Sequence, residues 1–220
     1  MTDILALNSI RGKSGKDTLI GLLESEGRKV FRVAFADVLK EMCSQVLAGG
    51  PGELATKYQK EMHKSIKDQP QSCLGISQIA DSSYQHWLRK TYREEPSTPK
   101  SLRWHLQTFG TQYHREFLGR PHVWFELGMV EVRKGLEEGS YDHVVVTDMR
   151  MVNEYEGILY APDVKTVRIV RDWFIPGVDD QSYHISDIAL MAHPFDALVL
   201  NRLGEPWAML DQLKEQGVLN

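Results

Sequence analysis

Cysteine is scarce in this chain: Cys43 and Cys73 are the only two in 220 residues. No C-x-x-C pair occurs, so a disulfide framework or a cysteine zinc cluster has no basis. None of the eight histidines falls in H-E-x-x-H spacing, which excludes the helical zinc-hydrolase pattern. Long apolar runs are missing too. The opening Ile4 to Leu7 run follows Asp3 rather than a basic flank, and it is too short for a signal peptide or a spanning helix. That points to a cytosolic protein with no membrane partner. Positive charge is not in excess: a formal net charge of -4 argues against the broad basic footprint of a nucleic-acid binder. No internal repeat is visible.

What is present is the composition of an ordinary globular protein, 42% apolar and 25% charged, at a length suited to one sizeable core. Ile4 to Leu7 reads as a buried strand, a glycine-bearing loop follows, and Thr18 to Leu23 opens a helix. Val30 to Phe35 reads as a second strand and Asp37 to Leu47 as a second helix. Residues 50 to 100 are polar and carry Pro70, Pro96 and Pro99 without a strand signal, which predicts an inserted helical or irregular flap. Helical patterns then run from Leu102 to Phe117 and from Val123 to Leu136. Strands are predicted at Val144 to Val146, Val164 to Val170 and Ala197 to Leu200, and a closing helix over Gly204 to Gln216 with Gly217 as its cap. The expectation is one α/β domain over 1–220 with a parallel sheet covered on both faces, an inserted flap at 50–100 and a lid-like segment at 172–190.

The stretch from Ser9 to Leu19, S-I-R-G-K-S-G-K-D-T-L, stands between the first strand and the first helix. That is where backbone N–H groups and the positive end of a helix gather around phosphate. Arg11, Gly12, Lys13, Ser14, Gly15, Lys16, Asp17 and Thr18 are the candidate ATP-binding residues, with Lys16 reaching the outer phosphates. The match to G-x-x-x-x-G-K-[ST] is incomplete: Ile10 stands where the first glycine belongs and Asp17 where the hydroxyl belongs. The expectation is that Gly12 closes the turn instead. Asp17 is a candidate magnesium ligand, and its alternative reading is a first-turn carboxylate favoured by the helix dipole.

Ser14-Gly15-Lys16-Asp17-Thr18 resembles the phage-type deoxynucleoside monophosphate kinases, a branch of the P-loop kinases. Four further stretches resemble that family in the same order: F-A-D-V-L-K from Phe35, R-W-H-L-Q-T-F-G-T-Q-Y-H-R from Arg103, D-M-R-M-V-N-E from Asp148 and H-I-S-D from His184. The final D-A-L-V-L-N-R-L-G-E-P-W-A-M-L is similar as well, whereas residues 50 to 98 match nothing in it. The resemblance implies the P-loop kinase fold. It also implies transfer of the γ-phosphoryl group of ATP to a deoxynucleoside monophosphate, with Mg2+, in a cytoplasm that is an infected host's if the gene is phage-borne. ATP and that monophosphate are the expected partners, with a homodimer admitted.

The remaining candidates follow from pattern and resemblance together. Arg103, Gln107, Thr111 and Arg115 recur at four-residue steps, one stripe of a helix that can hold a phosphate monoester and a base edge. A solvated face is the alternative. Gly110 belongs to the same family pattern and would end or bend the helix. Asp148 follows an apolar strand and suits a magnesium or substrate position at a sheet's carboxyl edge. Arg150 and Glu154 complete its motif beside the expected monophosphate site, or form a helical ion pair. Arg171 is the expected catalytic arginine of the lid, beside Lys16 and Asp148, against a surface salt bridge. Phe35 and Trp124 are candidates to stack a base, and Lys40 to reach the acceptor phosphate. Two rival functions remain: a P-loop kinase for another phosphorylated acceptor, of phosphomevalonate or dephospho-coenzyme A type, and a non-catalytic nucleotide-binding regulator.

Overall fold

The computed structural model describes residues 2–180, 183 and 185–219, apart from the side chains of 185 and 186. In chain order its elements are β1 (Asp3–Asn8), α1 (Lys16–Ser25), β2 (Val30–Val33), α2 (Phe35–Ala48), α3 (Glu53–Met62), α4 (Ser82–Thr91) and α5 (Leu102–Gln107). A π-helical segment, Thr108–Phe117, continues α5. Then come α6 (Val123–Glu138), β3 (His143–Val146), α7 (Val152–Ile158), β4 (Val164–Arg171), α8 (Ile185–Ile188), β5 (Ala197–Asn201) and α9 (Ala208–Glu215). By internal contacts the chain divides into two compact units, Met1–Phe35 with Phe125–Asn220, and Ala36–Trp124. The second is wider than the polar stretch read as a flap. Among the described residues no helix is long and apolar enough to cross a membrane.

The first unit is an α/β layer structure on a five-stranded, all-parallel sheet in the order β2-β3-β1-β4-β5. Alternation along β1 divides its core. Leu5 and Leu7 face Leu19 and Leu23 of α1 and Met209 and Leu213 of α9, while Ile4 and Ala6 face Val132 of α6 and Ile158 of α7. Burial on both faces is why β1 and β3 read as unbroken apolar runs. Val144, Val145 and Val146 are each 0% exposed, and burying each contributes roughly 1.5–3 kcal/mol. The edge strand β5 is sealed by side chains. Gln212 of α9 and Gln216, just after it, each accept a backbone N–H and donate to a backbone carbonyl, of Leu200 and Leu198 respectively, so two amides take the place of a neighbouring strand.

Three sequence readings change. Phe35 is not the end of a strand but the first residue of α2, because its N–H donates to Asp148 Oδ1 at 2.8 Å, a cap supplied from a distant part of the chain. The closing helix starts at Ala208 rather than Gly204, which has φ +81 in the preceding turn. The pattern read as one helix from Leu102 to Phe117 is α5 plus the π-helical segment, whose wider turn lets Leu118 N–H reach Tyr113 O, five residues back.

The second unit is helical, with short 3₁₀ turns between α3 and α4. Its core is aromatic: Tyr84 contacts the rings of Trp87, His105, Phe109 and Tyr113. His105 is fully buried on Leu74 O, and burial pushes its pKa down to about 4.

Candidate functional site

In the first unit α1 follows β1 onto one face of the sheet and α7 follows β3 onto the other. Adjacent strands whose helices leave on opposite faces open a crevice at their carboxyl ends, the place where parallel α/β sheets bind ligands. The loop after β1 and the turn carrying Asp148 and Arg150 after β3 both start from that edge.

The loop closes without a glycine at position 10. Ile10 keeps a negative φ, and the left-handed steps are taken by Lys13 at φ 56 and Gly15 at φ 100. This corrects the expectation for Gly12, which has no positive φ and whose added Cβ would meet none of the described atoms within 4 Å. Gly15 has two reasons to be glycine. Besides its φ, a Cβ there would lie 2.2 Å from Asn201 Nδ2. That amide donates to Ser14 O at 3.0 Å and ties the end of β5 to the loop.

The α1 N-terminus has no side-chain cap, so its first-turn N–H groups are available to an anion. Lys16 stands in that turn, donating to Ser9 Oγ and, at 3.4 Å, to Ser14 Oγ. Burial, followed by the nearby Arg150 charge, pushes its pKa down to about 8, while Asp148 and Asp17 act the other way. Asp17 is 86% exposed and 3.7 Å from Arg32. A cleft of about 480 Å3 is lined by Lys13 to Thr18 on one side and by Trp173, Asn201 to Gly204 and Pro206 on the other. Loop backbone, a lysine and an uncapped helix end meet there, an arrangement suited to an anionic ligand.

A pH dependence follows from Lys16. Only the ammonium form attracts phosphate, and the free protein loses it as pH rises through about 8. Affinity for a phosphate-bearing anion should be flat below that point and fall by up to about tenfold per pH unit above it, levelling off once pH passes the higher pKa that the bound anion gives the lysine. Calorimetric titrations between pH 7 and 9.5 check this; a flat profile would detach Lys16 from the ligand.

The other candidates in this unit take definite positions. Asp148 caps α2 through Phe35 N–H. Glu154 is 5% exposed, and its Oε2 accepts the N–H groups of Arg150 and Met151 at 2.8 and 3.0 Å. It therefore fixes the turn that presents Arg150. Phe35 is 2% exposed and packs edge-on against Phe125, which makes it core in place of a base platform. Arg171 is 6% exposed and held bidentately by Asp179 at 2.7 and 2.5 Å, and it also donates to Trp173 O. That pair, not a free lid arginine, is what the end of β4 carries. Arg171 holds the Asp179 carboxyl below its usual range. Asp172 ties the same segment to β5 through Asn201 O and Leu203 N–H. His184 lies outside the described residues.

In the second unit Arg103 and Gln107 are exposed, and Thr111 and Arg115 are half-buried. Arg103 pairs with Asp68 and holds that carboxyl below its usual range. Arg115 Nε is buried with no hydrogen-bond partner among the described residues. Gly110 is packed under Leu39, its carbonyl accepting Trp124 Nε1–H at 2.9 Å. Trp124, 3% exposed, is therefore also core in place of a stacking platform. Lys40 pairs with Asp37 at 2.7 Å.

Sequence reasoning missed Asn8 and Asn201. Each ends an otherwise apolar strand, L-A-L-N and L-V-L-N, and each is nearly buried at the sheet's carboxyl edge. Asn8 Nδ2 donates to Met149 O at 2.9 Å and its Oδ1 accepts from Arg168, so the two asparagines lock the loops that follow β1 and β3. An amide terminating a buried parallel strand was the available signal. Among the described residues no group of three or more His, Cys, Asp or Glu is placed to hold a metal. No family model matches the chain, and no curated protein matches it.

Proposed function

We propose that the protein is a P-loop kinase that transfers the γ-phosphoryl group of ATP to a deoxynucleoside 5′-monophosphate and yields the diphosphate. One observation carries the reading: a half-buried lysine at an uncapped helix N-terminus, on the cleft beside the carboxyl edge of an all-parallel sheet. The strand order is compatible with the P-loop kinase fold. The ordered motifs from Phe35 to Asp187 favour the monophosphate acceptor. Ile10 has a negative φ, so the loop closes without the missing glycine, and its presence does not favour a regulator with a degraded loop.

In this reading the loop backbone and Lys16 hold the β- and γ-phosphates, and the cleft wall from Asn201 to Gly204 borders the rest of ATP. Arg11 and Arg150 supply further positive charge to the migrating group. Magnesium is what this reading requires beside the phosphates. Both Asp17 and Asp148 act electrostatically on Lys16, and magnesium needs only one or two carboxylates when phosphates and water complete its shell. Asp17 and Asp148 would hold it, and its charge would offset that of the phosphates. Chemistry here is positioning and charge stabilisation, with no covalent intermediate.

The acceptor is assigned to Arg103, Gln107, Thr111 and Arg115. Arg103→Ala should weaken monophosphate binding by about 1.5–3 kcal/mol and leave ATP affinity nearly unchanged. Lysine at 103 should recover only part, since it lacks the planar pair of donors. Titration of both ligands checks this, and a loss of ATP affinity instead would move Arg103 to the donor side. The reaction itself is tested by a panel of deoxy- and ribonucleoside monophosphates supplied with ATP and magnesium. Rapid ADP release only with an acceptor supports the kinase; slow acceptor-independent hydrolysis supports a regulator.

A further inference from the structure

The H-I-S-D stretch is a sequence motif that the proposed reaction leaves without a task. Its Asp187, in α8, has a side chain 16% exposed, with Oδ1 3.5 Å from Arg150 Nη1 and Oδ2 4.0 Å from Arg11 Nη1. A single carboxylate thus lies between two guanidiniums, one leaving the carboxyl end of β1 and the other that of β3. Among the described residues Arg11 is steadied further: its Nη2 donates to Asp179 O at 3.4 Å, and its guanidinium stands 3.7 Å from the centre of the Tyr183 ring.

Both ion-pair distances exceed ordinary hydrogen-bond length, and the Arg150 side chain is 40% exposed. Between these atoms the attraction is chiefly that of opposite charges, and its Arg150 end is open to water. A phosphate group brings more charge and several oxygens that match the guanidinium fork. A phosphate therefore competes with the carboxylate for the two guanidiniums, and the carboxylate lowers the repulsion between them when phosphate is absent.

We propose that Asp187 is an internal competitor: in the ligand-free protein its carboxylate holds the anion position shared by Arg11 and Arg150, which a nucleotide phosphate takes over by displacing it. The identity of the natural ligand rests on the kinase reading; the anion position itself does not. If Asp187 served instead to orient the arginines for the ligand, its removal would weaken binding, so the two roles differ in sign.

The test is calorimetric titration of pyrophosphate, without nucleotide or magnesium, into the parent, Asp187→Asn, Arg150→Gln and the double variant. Asp187→Asn should bind pyrophosphate about three- to tenfold more tightly. Arg150→Gln should bind more weakly, and the double variant no more tightly than Arg150→Gln alone. Unchanged or weaker binding by folded Asp187→Asn overturns the proposal, as does absence of binding by every protein in the set. Hydrogen exchange of the parent gives a second readout that needs no variant. Pyrophosphate should speed exchange at residues 185–188, and protection there would contradict displacement. Tighter pyrophosphate binding by Asp187→Asn without phosphoryl transfer in any nucleotide assay would uphold the competitor and sink the kinase reading, and transfer with unchanged pyrophosphate affinity would do the reverse.

Discussion

Lys16→Met should lower turnover by about three orders of magnitude or more and leave the ligand-free protein at least as stable as the parent. The first half follows from where the charge acts. A lysine on the β- and γ-phosphates stabilises charge that develops during transfer, and methionine has the length of its stem but nothing to offer the oxygens. The second half follows from the depressed pKa. Folding takes this ammonium from a value of 10.5 to about 8, so the folded state disfavours its charged form. The cost is fully present below about pH 8 and disappears as pH rises toward the unfolded value. Methionine removes it, and a gain of about 1–2 kcal/mol near pH 7 is expected after allowing for partial solvent screening. Parent stability should also rise between pH 8 and 10.5 relative to that of the variant. Denaturant melts at pH 7 and 9.5 beside a turnover assay check both halves. Activity within tenfold of the parent would remove Lys16 from the reaction, and a large loss of stability would give it a structural role.

The second large effect is expected at Gly15 and, by contrast, not at Gly12. Gly15→Ala forces a side chain into φ +100 and drives its Cβ to 2.2 Å from the Asn201 amide. Asn201 is 4% exposed, so it can move only by giving up its bond to Ser14 O. Strain and a broken buried hydrogen bond together should cost about 2–4 kcal/mol of stability and at least about a hundredfold in ATP affinity. Gly12→Ala meets open space and needs no positive φ, so it should stay within about 0.5 kcal/mol of the parent. Thermal melts and ATP titrations of the two variants decide. A severe Gly12→Ala beside a mild Gly15→Ala would mean that the loop takes its turn elsewhere.

The layered sheet was legible because its signals are local. Ile4 to Leu7 and Val144 to Val146 are buried on both sides, and an unbroken apolar run states that directly. Lys16 was legible for the same reason, since strand, loop and helix adjoin along the chain. What failed depends on distant partners. The N–H of Phe35 finds its acceptor in Asp148, 113 residues away, and that contact starts a helix in a stretch that otherwise reads as strand. Arg171 looked available until the chain turned back and set Asp179 against it. The π-helical segment left no mark in apolar spacing: Leu102 and Phe109 are buried as in a regular helix, and the departure shows at Phe117, which is 61% exposed. Ile10 was an objection only because a motif assigns its turn to the first glycine, whereas here Lys13 takes the left-handed step.

The central claim is phosphoryl transfer to a nucleotide acceptor, and the most direct measurement follows the γ-phosphoryl group itself. ATP labelled at that position is incubated with the protein, magnesium and a deoxynucleoside monophosphate, and the products are separated by ion exchange. The account predicts label in the deoxynucleoside diphosphate, one for each ADP formed, and its loss in Lys16→Met. Label appearing only as inorganic phosphate, at a rate indifferent to the acceptor, would contradict it.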